Sequence, residues 1–263
     1  MKQKILKAID IVRTYKNWPR LILFRFGVLP GPMEVRLREG SRFAVRARSE
    51  QESDIYIINE SYLYRIHDGM LPYMAKTKIG IDIGAHIGTF SVFAARKSGA
   101  KIYAIEPDPE NFAFLERNMR LNGLDGRIVP IPALVSGASG EKELFIFQNK
   151  GLNSIHKEHG ISYGSPLAAT KTVRSISLED FFSEHKIDFC DFMKVDVEGG
   201  EYDIFPSLPK KIFEKIGVIG MEISGDDEEV GRLVKHVESM GFTVTKPRGE
   251  YLCVNKRFAG WRK

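Results

Sequence analysis

The sequence predicts an α/β protein: a Rossmann-like, seven-stranded and mostly parallel sheet with helices on both faces, preceded by a small N-terminal helix and hairpin. Three observations carry this. Short apolar runs at 79–83, 101–105, 127–133, 189–195 and 217–223 have strand length, and helical patterns separate the first three, the rhythm of parallel strands joined by right-handed crossovers. The first run enters a glycine turn, Asp82-Ile83-Gly84-Ala85-His86-Ile87-Gly88, as strands do where they open into a helix at a ligand site. Residues 242–245 and 251–254 flank Lys246-Pro247-Arg248-Gly249-Glu250 and read as a terminal antiparallel pair.

Taken in order, residues 2–16 set Ile5, Leu6, Ile9 and Val12 on one helical face with lysines opposite, which predicts an amphipathic helix. Trp18-Pro19 interrupts it, and 28–32 read as a loop. Alternation in 34–38 and 42–46 around Glu39-Gly40-Ser41 predicts a hairpin. Residues 54–65 carry Ile55, Ile58 and Tyr62 at helical spacing. Beyond Gly88, residues 89–98 place Phe90, Phe93 and Ala94 on one face, and Gly99 is expected to close that helix in the left-handed conformation. Asp108-Pro109 predicts an N-cap and first turn, with a helix carrying Phe112, Leu115 and Met119 that stops at Asn122-Gly123. From 137 to 172 the rhythm breaks. Residues 143–147 read as a strand and the Gly-, Ser- and Asn-rich remainder as a long irregular loop, with His156 and His159 in solvent. Ser177 starts a short helix bearing Phe181 and Phe182, and 226–240 form an amphipathic helix ended by Gly241. A boundary near Lys76 divides the chain into a basic helix-and-hairpin appendage, 1–76, and a main domain, 77–263.

At 263 residues with 43% apolar content, the chain can bury a sizeable core. No apolar run reaches spanning length and no secretory leader is read, so the expected location is cytoplasmic. Cys190 and Cys253 are expected as buried free thiols. Residues 1–48 hold twelve Lys/Arg against three Asp/Glu, leaving 27 basic and 31 acidic residues in the rest. The basic character therefore belongs to the N-terminal arm, which suits an anionic partner: a membrane surface with peripheral attachment, a phosphorylated carrier, or RNA. Solvated charges on a packed helix and hairpin are the alternative.

The glycine turn discriminates between ligands. A dinucleotide turn wants glycine two residues after the first, where this chain has His86. A triphosphate loop ends in Gly-Lys-Ser/Thr, whereas Gly88 is followed by Thr89-Phe90-Ser91. What remains is D-x-G-x-x-x-G. Asp82 supplies an acceptor, and Gly84, Ala85, His86 and Gly88 offer backbone at the positive end of a helix dipole, which suits the ammonium and carboxylate of a methionine-like moiety. Glu106 lies 22 positions beyond Gly84, at the end of the second strand, where a carboxylate accepts both hydroxyls of a ribose. Asp196 and Glu198 follow the fourth strand, at the lip where a substrate would meet the cofactor. Asp196 is the candidate base for an alcohol nucleophile, with Glu198 beside it and His86 as a second base. Capping of the following helix, or a hard cation held with Glu222 or Asp226, are the competing readings, and no metal is assigned. Asn153 and Ser154 are candidate contacts to substrate or adenine.

These residues resemble the FkbM family of S-adenosylmethionine-dependent methyltransferases across roughly 54–205. The resemblance rests on Ile81 to Gly88, on Ala104-Ile105-Glu106-Pro107, on Ala133-Leu134-Val135-Ser136, and above all on Lys194-Val195-Asp196-Val197-Glu198-Gly199-Gly200-Glu201. It implies a class I methyltransferase sheet over 77–263 and S-adenosylmethionine at the first two motifs, with Ala133 beside it. It also implies O-methylation of a sugar, glycan precursor or other small hydroxylated metabolite. The sequence departs at His86, where the family usually has asparagine. An RNA methyltransferase that grips phosphates with the basic arm, and a non-catalytic membrane-associated binding module, remain the alternatives.

Overall fold

The computed structural model describes residues 9–29, 32–46 and 52–258, the side chains of 52 and 53 excepted. Of the expected first helix, residues 9–14 are helical and 1–8 lie outside the described residues. Trp18-Pro19 starts a helix as well as ending one: α1, Trp18–Arg25, has proline in its first turn, where the missing N–H costs nothing. The hairpin pairs β1 (Met33–Arg36) with β2 (Arg42–Val45) in the register Glu34↔Ala44. α2 (Glu52–Asn59) runs directly into a wide π turn, Glu60–Tyr64, which ends at Arg65 in the left-handed conformation.

The central sheet is built from β3 (Ile79–Ile83), β4 (Lys101–Ile105) and β5 (Ile128–Ile131). Outside it are the short β6 (Leu134–Ser136) and the long β7 (Gly140–Phe147) and β8 (Leu167–Ser177). The sheet then continues with β9 (Cys190–Val195), β10 (Ile216–Met221), β11 (Phe242–Thr245) and β12 (Tyr251–Asn255). Its order is β11-β12-β10-β9-β3-β4-β5. β3, β4, β5, β9 and β10 pair in parallel, while β12 runs antiparallel to both neighbours. This is the expected seven-stranded sheet. Side chains alternate between its faces: Ile102 and Ala104 join a cluster with Phe90, Phe93 and Leu115, whereas Tyr103 and Ile105 join one with Phe181, Phe205 and Val237.

The N-terminal elements share the first of these clusters through Tyr15, Phe24, Val35 and Phe43. Asn118 ties them down. Its amide accepts from the Ala44 N–H (2.7 Å) and donates to the Ile87 carbonyl (2.8 Å), so one side chain joins the hairpin to the glycine turn. Buried Arg46 pairs with Asp54 (2.5 Å) and also donates to Asn111. Both expected cysteines are buried free thiols. Among the described residues no helix is long and apolar enough to cross a membrane.

Two expectations are corrected. Gly99 is not left-handed. The helix α3, Thr89–Lys97, ends at extended Ser98, whose hydroxyl donates to the Ala94 carbonyl at 2.7 Å and so makes a glycine cap unnecessary. The stretch 137–172 is not an irregular loop. β7 and β8 form an antiparallel hairpin that joins β6 in a separate three-stranded sheet, and a short helix, Lys157–Ser162, sits in its connection.

Candidate active site

The site opens beyond the carboxyl ends of β3, β4, β9 and β10, where a doubly wound sheet binds ligands. Three connected cavities meet there, and Ile57 and Asp196 line all three.

The first cavity, about 590 Å³, runs past Gly84, His86, Glu106, Asn111 and Ala133. Glu106 is buried. Its Oε2 accepts from the His86 N–H (2.8 Å) and its Oε1 from the Asp108 N–H (2.9 Å) and the Asn111 amide (3.3 Å). The helix cap that follows belongs to Asp108, which accepts from Glu110 N–H at the start of α4, Pro109–Leu121. Glu106 is thereby left for the cleft. Burial pushes its carboxyl up to about 7, although the two backbone donors work against the shift. The outer wall comes from the hairpin: Leu144 on β7, then Lys150, Asn153 and Ser154. Asn153 is held by donating to Asp108 (3.0 Å), and Ser154 by donating to the Glu198 carbonyl (2.7 Å).

The glycine turn is shaped by packing as much as by ligand access. A Cβ on Gly84 would run into the Asp196 carbonyl oxygen, and one on Gly88 would stand 2.6 Å from Leu115 Cδ1. Both residues are left-handed, as is His86. Asp82 does not line the cleft. It lies inside β3, opposite Lys194 in register, where its Oδ2 accepts from Ser91 (2.5 Å) and its Oδ1 stands 3.7 Å from the Lys194 ammonium. Burial raises its carboxyl, with Lys194 opposing. Burial by itself would depress the Lys194 ammonium, but Asp196 and Asp82 outweigh it and hold it above its ordinary value.

The second cavity, about 810 Å³, continues over Ala85, His86 and Phe90 and is walled by Glu60, Ser61, His67, Glu222, Arg248 and Glu250. Both ring nitrogens of His86 and the hydroxyl of Ser61 are buried there without a hydrogen-bond partner. Burial, reinforced by Arg46, Lys194 and Lys150, holds the His86 imidazole neutral, well below its ordinary range. The third cavity is the mouth, between Tyr56, Ile57 and Glu60 on one side and Asn149, Gly151, Leu152, Glu198 and Glu222 on the other.

Asp196 is 3.1 Å from Lys194, and Glu198 Oε2 is 2.7 Å from His159 Nε2. No side chain caps the helix they precede, Glu201–Ser207. His156 is exposed as expected. His159 is not in solvent, because the hairpin connection folds it back onto Glu198. Glu60, His67, Lys194 and Glu250 are site residues the sequence reading missed. The charge of Lys194 inside an apolar strand was their one visible signal. Among the described residues no three His, Cys, Asp or Glu are grouped to hold a metal ion.

Residues 82–244, more than half of the chain, match the family model described as the methyltransferase FkbM domain. The chain is 26% identical to Methyltransferase sdnD of Sordaria araneosa over 82% of its own length and 92% of that protein. It is 23% identical to hexuronic acid methyltransferase AglP of Haloferax volcanii over 96% and 99%, and 27% identical to 31-O-demethyl-FK506 methyltransferase FkbM of Streptomyces tacrolimicus over 62% and 72%. With its seven-stranded sheet and the cleft at its carboxyl edge, the chain belongs to the FkbM methyltransferases, whose methyl donor is S-adenosylmethionine.

Proposed function

We propose that the protein O-methylates a hydroxyl of a sugar, glycan precursor or other small hydroxylated metabolite, with Asp196 as the base. The observation that carries this reading is that Asp196 stands where all three cavities meet, next to a fixed ammonium. A relative named for a hexuronic acid supports a sugar acceptor, and one named for 31-O-demethyl-FK506 supports methylation on oxygen.

The residues present fit the cofactor. Glu106 presents a carboxylate to the first cavity for ribose hydroxyls, with Asn111 and Ala133 beside it. The second cavity sets Arg248 beside Glu250, charges of both signs that suit a zwitterionic amino acid, and the buried unpaired ring nitrogens of His86 await hydrogen bonds there. S-adenosylmethionine supplies an electrophilic methyl group when bound. The chain's own part is to orient the acceptor, exclude water and receive the hydroxyl proton on Asp196, whose carboxylate Lys194 fixes in place. Asp82 serves this arrangement from behind, as the buried partner of Lys194.

Methyl-labelled S-adenosylmethionine offered with free sugars and with bulk tRNA tests the acceptor. Label is expected as a sugar methyl ether, and label on RNA would replace this reading with the RNA one. Glu106→Ala is expected to weaken S-adenosylhomocysteine binding about 10- to 100-fold by calorimetry, the worth of hydrogen bonds to a charged acceptor. Because Glu106 titrates near pH 7, its acceptor form fills as pH rises. Affinity should therefore climb about tenfold from about pH 6 to about pH 8, and Glu106→Gln should flatten that climb.

The anionic partner of the N-terminal arm is a separate part of the proposal. Arg20 and Arg25 are exposed on α1 beside exposed Ile22, Leu23, Phe26 and Val28, a mixture that suits an anionic lipid surface. Co-sedimentation with phosphatidylserine vesicles, reduced in Arg20→Glu/Arg25→Glu, is the expected result.

A further inference from the structure

We infer that the acceptor carries a protonated amine near the hydroxyl it presents, as an amino sugar or amino alcohol does. The inference rests on the methyl-transfer reading above and names the substrate class of the same site.

The second and third cavities are one chamber, since Tyr56, Ile57, Glu60, Asp196 and Glu222 line both. Four carboxylates converge on its mouth: Glu60, Asp196, Glu198 and Glu222. Among the described residues no lysine or arginine lines that mouth. Lys194 acts on Glu60, Glu198 and Glu222 from within the sheet, and it is already engaged by Asp196, by Asp82 across the strand pair and by the Gly84 carbonyl at 3.2 Å. Arg248 belongs to the inner part of the chamber and lies 3.8 Å from Asp68. Four carboxylates thus face Lys194 and the one net positive charge of a bound S-adenosylmethionine.

The wall responds to that excess. Burial, then Asp196 and Glu222, push Glu60 up to about 8, and Asp196, then burial, pushes Glu222 up to about 7. Burial also raises Glu198, with Asp196 adding to the shift and the bond from His159 opposing it. Burial and mutual repulsion together raise these groups, and a cation placed among them relieves that repulsion whereas an anion adds to it. A second and independent observation points to a polar ligand: the buried Ser61 hydroxyl, beside Glu60, has no partner among the described residues and borders the same chamber. The π turn is what delivers Glu60 and Ser61 to this wall together, and such turns recur at functional sites. By this chemistry a uronate or a phosphorylated sugar is a poor fit for the mouth, so the acceptor shares a sugar frame with that of the relative named for a hexuronic acid but differs from it in charge.

The test is calorimetry on the full chain saturated with S-adenosylhomocysteine, titrated in turn with D-glucosamine, D-glucose and D-glucuronate at neutral pH. Glucosamine should bind about tenfold tighter than glucose, the scale of one charge-assisted hydrogen bond, and glucuronate should bind weakest. In Glu60→Gln/Glu222→Gln the advantage of glucosamine should disappear while S-adenosylhomocysteine still binds. Glucuronate binding as tightly as glucosamine would overturn the inference. So would an advantage that survives the double substitution, or no glucosamine binding at millimolar concentration. Failure of S-adenosylhomocysteine itself to bind would instead strike the methyl-transfer reading, so the two failures are told apart within one experiment.

Discussion

Replacing Asp196 with asparagine is expected to cut methyl transfer by about 10²- to 10⁴-fold, the usual worth of a positioned proton acceptor, with cofactor affinity nearly unchanged. An alcohol is a poor nucleophile until its proton has somewhere to go. Asparagine keeps the size and planarity of the side chain and removes only that destination. Lys194 keeps its contacts with Asp82 and the Gly84 carbonyl, so the turn above it should hold. His86 is the weaker base on physical grounds, because the burial and the nearby cations that keep its imidazole neutral also oppose the imidazolium it would become. Single-turnover rates of Asp196→Asn, His86→Asn and Glu198→Gln separate the three. Near-normal turnover in Asp196→Asn would remove Asp196 from the role, and the loss should then appear in one of the other two.

Lys194→Met should destabilise the fold by about 3–5 kcal/mol, as breaking a buried ion pair by removing one partner does. Asp82 has no access to water, and the Ser91 hydroxyl would be its one remaining hydrogen-bond partner among the described residues. The carboxyl would then rise further and take up a proton in the folded state. A group whose folded pKa lies above its unfolded value stabilises at low pH and loses that contribution as pH rises. The deficit of Lys194→Met relative to wild type should therefore shrink from about pH 7 toward about pH 5. Urea unfolding across that interval measures it. Asp82→Asn/Lys194→Met should recover most of the loss at every pH, because the buried charge is then gone from both sides.

The parallel sheet was legible because its strands are buried on both faces and read as unbroken apolar runs. Glu106 was legible because its role depends on spacing along the chain. β8 was not: most of Leu167–Ser177 is exposed or half-exposed, so its residues show no alternation, and only its pairing with β7 makes it a strand. His159 was hidden for the same reason, since its place beside Glu198 depends on that hairpin folding back. Asp82 was read as an acceptor for the cofactor because in sequence it precedes the turn; its burial between Ser91 and Lys194 depends on a strand more than a hundred residues further along the chain. Gly84 and Gly88 were read as offering backbone to a ligand, and Gly84 does line the cleft; their close packing on Asp196 and Leu115, contacts between segments far apart in the chain, was not legible.

The small sheet β6-β8-β7 has its own apolar cluster, formed by Leu134, Leu144 and Ile146, yet it supplies one side of the mouth through Asn149, Gly151 and Leu152. An enzyme so divided can change its clientele without renegotiating its foundation. Exchanging residues 140–177 for the matching hairpin of a related chain replaces a wall of the reaction chamber and leaves the seven strands, the glycine turn and Glu106 untouched. Diversification of acceptors among such enzymes then becomes a matter of swapping one hairpin.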